Sequence, residues 1–452
     1  MAFDGGQFGS SKRTLNRRFA NTFLLLLLFR ILTAIPALNV DEERLRQLLA
    51  ANPLLGTVDL FAGGETLNHF SIAAAGIFPY LVALILVQVA SSMSSSLQRM
   101  QLQGGSGKDR VDLITKLLTI VLAFFFAWGL SHYLSQQVGL FPGQIHWFTK
   151  SSFGSSLWIV CLVTFGSYLS TEVSNMITRK GIGSGAEIVL LGGSSLVFLK
   201  QMAHVLRSAP GIGAALERLG WIVVIGLVII ILSVYVMDAE RDVPIMYPAR
   251  SPKAGRIMQR TRPHLPLLLN AGRILPVSAG IGLLSLVQLS QGFFQQHAQS
   301  WIGKGGLLLT KWVTPASGWY WIALACLIVL FTYIYNYSIL WQGDQPIAQN
   351  LKVGGAYVPG LRPGLRTQEY LTRIIRSISL PGGLSLAFLA AGVPYLVMRF
   401  THQNQMVTIL SLVVVVLTAQ SLRDEVKAYH ITESYQGFLD PKRKRRLLDR
   451  LL

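Results

Sequence analysis

The sequence predicts an all-α polytopic membrane protein of ten spanning helices in two five-helix halves. Three observations carry this: composition, the apolar runs, and the placement of lysine and arginine. Hydrophobic residues make up 51% of the 452 and charged residues 13%, whereas a soluble chain carries about 25% charged. Mean hydropathy is +0.47. So little charge cannot cover a water-soluble protein of this size, and disorder or a collagen-like repeat is excluded with it. The two cysteines, Cys161 and Cys326, lie inside apolar runs, which argues against a disulfide framework or a cysteine metal site.

A spanning helix needs about 20 mainly apolar residues. Ten runs qualify: 19–38, 71–90, 113–134, 155–175, 184–206, 219–238, 268–291, 317–341, 374–398 and 406–422. The first follows Lys12, Arg13, Arg17 and Arg18 and has the look of a signal peptide. With nine more runs behind it, it reads as a retained anchor. The residues divide into a basic tail (1–18), a first half (19–206), a second half (219–422) and a basic tail (423–452). Ten spans put 28 of the 40 Lys and Arg on the side of both termini, counting Arg376 at the edge of the ninth run, and 9 on the other, counting Lys200. This predicts cytoplasmic termini, since cytoplasmic loops retain Lys and Arg. The same bias explains the net charge of +19 without nucleic acid. The run PKRKRR (441–446) reads first as a topology signal, with anionic lipid or ribosomal RNA as the other reading.

No catalytic residue, cofactor site or metal site is expected. The eight histidines are scattered without a His-x-x-x-His pair. GGSGK (104–108) lacks the phosphate-loop spacing and reads as a flexible cytoplasmic turn. Any driving energy must come from a partner or an ion gradient.

Two spans are interrupted at corresponding places, by GIFP (76–79) in the second and GRILP (272–276) in the seventh. Proline removes an amide donor and kinks a helix. Irregular backbone at membrane depth needs protein or a water-filled cavity around it. Paired interruptions point to an inverted repeat with the working site between the halves. GIGSG (181–185) offers close backbone approach and a hinge, or a tight turn. The segment NPLLGTVDLFAGG (52–64) is too short to cross, and from sequence alone an interfacial position is favoured over burial or insertion into a cavity.

Several strings then give a resemblance: LFRILTAIPAL (28–38), DLFAGGETLNHFSIAAAGIFPYLVALILVQ (59–88), ITRKGIGSG (177–185), ERDVPIMYPAR (240–250), HLPLLLNAGRILP (264–276), QPIAQNLKVGGAYVPGLRPGLRTQEYL (345–371) and YQGFL (435–439). In order and spacing over residues 19–440 they resemble the SecY family of protein-conducting channels. GGAYVPGLRPG (354–364) is the most specific piece.

The resemblance implies two inverted five-helix halves around a central pore, passing secretory proteins across the bacterial cytoplasmic membrane and membrane proteins laterally into it. It places a ring of apolar side chains at Ile77, Leu81, Ala186, Leu190, Leu275, Ser278 and Val414. A narrow apolar ring dewets and blocks ions yet yields to a passing chain. It makes 52–64 a plug, with Leu54, Leu55, Val58, Leu60 and Phe61, and puts Pro79, Gln88, Asn270 and Pro276 at a lateral gate. The loops 239–266 and 343–372, with Arg250, Arg256 and Arg362, dock partners. Implied partners are SecE and SecG or equivalents, the ATPase SecA, the ribosome, signal sequences, unfolded preproteins and membrane lipid.

The chain departs from the family pattern at Ala186 and Ser278 in the ring, and at Glu187 and Arg273, charges inside spans that are expected to pair with each other. The tenth span also lacks the acidic residue often found after its valine run. These departures fit a divergent or accessory member. The rival readings are a secondary transporter of small solutes with an inverted-repeat fold, whose midplane polar residues would be Glu187, Arg273, Gln88 and Asn270, and a membrane scaffold without its own pore.

Overall fold

A computed structural model describes residues 11–36, 45, 53–67, 70–94, 96–97, 100, 105–136, 153–207, 211–246, 264–296, 299–315, 317–339, 347–353, 355–401 and 406–439. Helix dominates because a backbone in hydrocarbon must satisfy its amides internally. In chain order the helices are α1 (Ser11–Ala34), α2 (Pro53–Ala62), α3 (Phe78–Met93), α4 (Gly105–Gln136), α5 (Phe153–Lys180), α6 (Gly185–Arg207) and α7 (Ile212–Met237). They continue as α8 (Leu275–Leu289), α9 (Gln291–Gln296), α10 (Trp301–Trp312), α11 (Gly318–Ile339), α12 (Ile347–Val353), α13 (Leu365–Ala387), α14 (Val393–Thr401) and α15 (Met406–Leu439).

Each of the ten apolar runs contains helix. Among the described residues, seven stretches are long and apolar enough to cross a membrane, lying in α4, α5, α6, α7, α11, the combined α13–α14 and α15. The outward sides are apolar, as lipid contact requires. On α7, Trp221, Val224, Leu227 and Ile231 are exposed. α13 passes into α14 through a π-helical turn, Phe388–Gly392, with Pro381 inside α13. The turn ends two residues before Pro394, in the first turn of α14, whose ring would otherwise meet the carbonyl of the preceding turn.

The second and seventh runs are not kinked helices. Residues 71–77 and 269–274 form irregular turns, and the helix proper begins only at Phe78 and Leu275. Pro79 and Pro276 each sit in a first helical turn, where a missing amide costs nothing. Both breaks adopt one conformation. Gly76 and Arg273 both have φ +49°, and each precedes an isoleucine that caps the helix, Ile77 or Ile274.

Other expectations need correction. GGSGK is not a free turn, because Gly105 already opens α4. The last helix continues to Leu439, well past the run that ended at 422, since Arg423, Asp424 and Glu425 can be helical once out of hydrocarbon. The loop 239–266 is not wholly irregular. β1 (Glu240–Pro244) and β2 (His264–Leu268) pair antiparallel, from Glu240 opposite Leu268 to Pro244 opposite His264. Alternation buries Val243 and Leu267, the period-two pattern of a half-buried ladder.

One apolar core joins the two halves, with Ile77, Leu81, Phe126, Val163 and Leu190 from the first and Ile274, Ile281, Leu324, Leu386 and Val414 from the second. A second, smaller core under the strands holds Val243, Leu267, Ala348, Val358, Leu371 and Ile375.

Gly76 is the tightest of the glycine contacts at the first break. A Cβ there would stand 1.8 Å from the Ala62 carbonyl oxygen, on a left-handed backbone. We predict that Gly76→Ala destabilises the protein by about 1–3 kcal/mol, the usual cost of overpacking a full site. Gly220→Ala, with open space around it, should change little. Thermal unfolding in detergent compares the two, and equal midpoints would show that this contact is not a constraint.

Candidate pore, plug and gate

The segment that composition alone favours at the interface, and that the resemblance makes a plug, is buried. Pro53–Ala62 is a helix, and Leu55, Val58, Leu60 and Phe61 are almost wholly enclosed. The side chain of Leu54 lies outside the described ones. Its ten residues are too short to cross, but they fill the space between α3, α6, α8 and α15. Phe61 lies 6.2 Å from Phe78, which meets Phe126 edge-on at 5.3 Å. Gly56 closes on Val407.

The exit from this helix is held by polar contacts. Asp59 accepts hydrogen bonds from the amides of Glu65 (2.9 Å) and Leu67 (2.8 Å) and from the Thr66 hydroxyl (3.0 Å). Burial pushes its carboxyl up from the ordinary range, and these three donors oppose that shift. Arg30, from α1, donates to the Gly64 carbonyl at 2.9 Å. Glu65 pairs with Lys200 of α6. Gly63 and Gly64 lie directly on Gly193, where a Cβ on Gly193 would stand 2.1 Å from the Gly63 oxygen. Sequence reasoning passed over Arg30, Asp59, Glu65 and Gly193. An arginine inside an apolar run was the signal for the first, whereas nothing local announces that Gly193 faces Gly63.

Of the ring positions named by resemblance, Ile77, Leu81, Ala186, Leu190 and Val414 fall in the one central core, and Leu275 is half-buried against it. Ser278 is fully buried, with its hydroxyl turned back onto the Leu275 carbonyl at 2.8 Å. It presents no free polar group to its surroundings and takes the place of a small apolar residue. Val189, Ile274, Val277, Ile281 and Leu410 share the core.

The two interrupted helices touch. A Cβ on Gly282 would lie 2.3 Å from Val82, and an apolar crevice between them is lined by Pro79, Val82, Phe126, Gly282 and Leu286. Pro276 is buried in the first turn of α8. The polar residues that the resemblance places at a gate, Gln88 and Asn270, bond to different helices. Gln88 donates to Ser338 of α11, and Asn270 donates to the Val236 carbonyl of α7 at 3.4 Å. Asn336, not singled out from sequence, spans the second break. It accepts from the Ala271 amide at 3.2 Å and donates to the Leu269 carbonyl at 2.6 Å.

Comparison with known proteins agrees with this arrangement. A model of the SecY family matches residues 71–422. The chain belongs to the SecY family. It is 30% identical over 439 residues to the protein translocase subunit SecY of Halalkalibacterium halodurans, covering 94% of this chain and 97% of the relative. Among solved structures it superposes on a protein-conducting channel with TM-score 0.60 at 15% identity, covering 94% and 95% of the two chains. It also matches Sec61 from the canine ribosome–channel complex of the endoplasmic reticulum, with TM-score 0.58 at 14% identity and coverage of 94% and 95%. Members of the SecY family are membrane channels rather than enzymes.

Within this SecY-family fold Glu187 and Arg273 belong to a chain of polar contacts. Arg273 donates to the Ser421 hydroxyl, and Ser421 donates to Glu187. The second arm of Arg273 reaches Asp424 at 3.2 Å. Glu187 and Arg273 therefore meet through Ser421 rather than directly, because Asp424 takes the free face of the guanidinium. The first acid beyond the valine run is Asp424, eight residues past Val416. Arg423 beside it contacts Asp424 at 3.1 Å and Asp238 at 2.5 Å. Lys116, another cation placed in a span, pairs with Glu172 at 2.5 Å.

On the cytoplasmic side assigned by charge, the two loops join. The amide of Met246 donates to the Tyr357 carbonyl (2.8 Å), and that of Tyr357 donates back (2.9 Å). Arg362 is exposed at the tip. Its carbonyl accepts from Thr367 at 3.0 Å, and Gly360 and Gly364 take positive φ on either side. Lys352, Arg366 and Arg373 are exposed nearby. Arg250 and Arg256 lie outside the described residues.

The Ser421 bridge makes a prediction that a direct pair would not. Ser421→Ala, Glu187→Gln and Arg273→Gln should each lower stability. In double-mutant cycles, Glu187 and Arg273 should couple by about 0.5–3 kcal/mol only while Ser421 is present. Chemical unfolding in detergent measures this, and coupling that survives Ser421→Ala would remove the bridge from the account.

Proposed function

We propose that this chain is the central pore-forming subunit of a protein translocase. It passes secretory proteins across the bacterial cytoplasmic membrane and releases membrane proteins sideways into lipid. One observation carries the reading: a ten-residue helix buried at the meeting point of the two halves, beside two interrupted helices in contact. A small-solute transporter would need a polar midplane site. Here Gln88, Asn270, Glu187 and Arg273 are each engaged with another helix or with the last one, and the centre is aliphatic.

In this reading α2 is the plug, the buried aliphatic residues around Ile77, Leu190 and Val414 are the constriction, and the contact of α3 with α8 and α11 is the lateral gate. Substrates are signal sequences and unfolded preproteins. Both termini are cytoplasmic. The chain works as part of a translocon, with small subunits equivalent to SecE and SecG beside it and SecA or a ribosome on the joined loops. An exposed basic platform with Arg362 at its tip suits acidic protein surfaces or RNA phosphates, since a guanidinium binds either bidentately.

Two measurements test it. Deletion of residues 53–62, in vesicles holding matched protein, should raise ion conductance over the intact chain. An unchanged conductance would remove the plug assignment. Arg362→Glu should leave the fold intact, as exposed substitutions typically change stability by about 0.5 kcal/mol or less, while export of a secreted precursor falls sharply and Arg362→Lys lies between. Normal export by the glutamate variant would withdraw the docking role.

A further inference from the structure

We propose that α10 is a membrane-interface anchor, lying in the headgroup layer of the outer leaflet and tying the outward end of the gate to the bilayer. The helix sits between the seventh and eighth spans and is too short to cross. Its two faces are the reverse of a surface helix of a soluble protein. Gly303, Gly306 and Thr310 turn inward and are buried. The inward face is small because α9 presses on it: a Cβ on Gly306 would stand 2.3 Å from the Phe294 ring. The outward face carries Trp301, Leu308 and Trp312, exposed by 82%, 62% and 52%. Their spacing of seven and four residues sets them on one stripe, with Gly305 between.

Such a stripe marks a contact, and three features select lipid as its occupant. Tryptophans stand at both ends of the stripe, and tryptophan concentrates at the membrane–water boundary. Lys304 and Lys311, both exposed, lie seven residues apart along one edge, so each can carry its charge to headgroup phosphates while its stem follows the apolar face. Finally, the stripe is continuous with the lipid side of α11. Trp312 stacks on Trp319 with ring centres 5.1 Å apart, and Trp319 and Ile322 are exposed on the first turns of that spanning helix. The stack sets the depth of α10 at the point where the chain enters hydrocarbon.

The consequence bears on gating and rests on the channel reading. α8, one wall of the gate, ends at Leu289 and leads through α9 into this anchor. Leu289 also packs on Gly129 of α4, where a Cβ would stand 3.0 Å away. The outer end of α8 is thereby held between the opposite half and the bilayer surface.

The test uses the full chain in phosphatidylcholine–phosphatidylglycerol vesicles, with Cys161 and Cys326 replaced by serine and Leu308→Cys carrying an environment-sensitive fluorophore. An anchored stripe gives blue-shifted emission, loss of most iodide quenching, and stronger quenching by lipids brominated near the headgroup than by lipids brominated near the chain ends. Full iodide access would overturn the proposal. So would protection from iodide without quenching by either lipid, because a partner protein or second copy would then cover the face. Strongest quenching from the chain ends would overturn it as well. The readout is depth, not transport, so it can fail while the channel reading stands, and the converse.

Discussion

Every backbone amide and carbonyl at membrane depth must find a partner within the protein, and the two interrupted helices are where this fold meets that demand. At the first break, the Ile77 amide donates to the Ala62 carbonyl at 3.1 Å, and the Ser167 hydroxyl donates to the Gly76 carbonyl at 2.7 Å. The last carbonyl of the buried short helix thus completes the start of the helix beside it. At the second break the same service comes from a side chain, Asn336, which satisfies Ala271 and Leu269 together. Moving the short helix strands the Ile77 amide, at a cost of about 1–3 kcal/mol for an unsatisfied buried group. The short helix and the start of α3 are therefore coupled through this hydrogen bond as well as through the Phe61–Phe78 contact.

This explains why two breaks with the same backbone conformation carry such different residues. Gly76 has no room for a side chain because Ala62 is already there. Nothing equivalent arrives at the second break, and Arg273 takes the left-handed conformation that glycine takes in the first. A side chain in that region costs about 1–2 kcal/mol. Its hydrogen bond to Ser421 and its ion pair with Asp424 offset this and fix α8 to α15. Through Ser421 and Glu187 the link extends to α6, so the same residues join the two halves.

Close backbone approach recurs wherever these elements cross. Gly185 lies against the Ser174 carbonyl, Gly193 against the Gly63 carbonyl and Gly382 against the Leu269 carbonyl, while Gly282 leaves room for the Val82 side chain. Packing of this kind replaces the hydrophobic driving force that lipid removes between helices. Beyond the spans, at the end that carries β1 and β2, water returns, and the architecture changes with it. A two-stranded ladder and a separate small core hold the two loops as one body, leaving Lys352, Arg362, Arg366 and Arg373 exposed on it.

The membrane class and the ten apolar runs were legible in the sequence, because hydropathy is a sum over neighbouring residues and needs no tertiary partner. So were the paired interruptions, since Gly76, Pro79, Gly272 and Pro276 act on their own backbone. The strings from LFRILTAIPAL to GGAYVPGLRPG carried the family. Through the resemblance they grouped Ile77, Leu190 and Val414, which share one core, but they did not carry the particular side-chain contacts between distant residues. Burial of Pro53–Ala62 was decided by the space between four helices, whereas its composition alone favoured an interface. The insertion of Ser421 between Glu187 and Arg273 depends on how α15 rotates against α6 and α8, which no local pattern encodes. Only the tertiary structure could set Gly193 on Gly63, Asn336 across the second break and Trp312 on Trp319, because each is a meeting of two segments whose own sequences are indifferent to it.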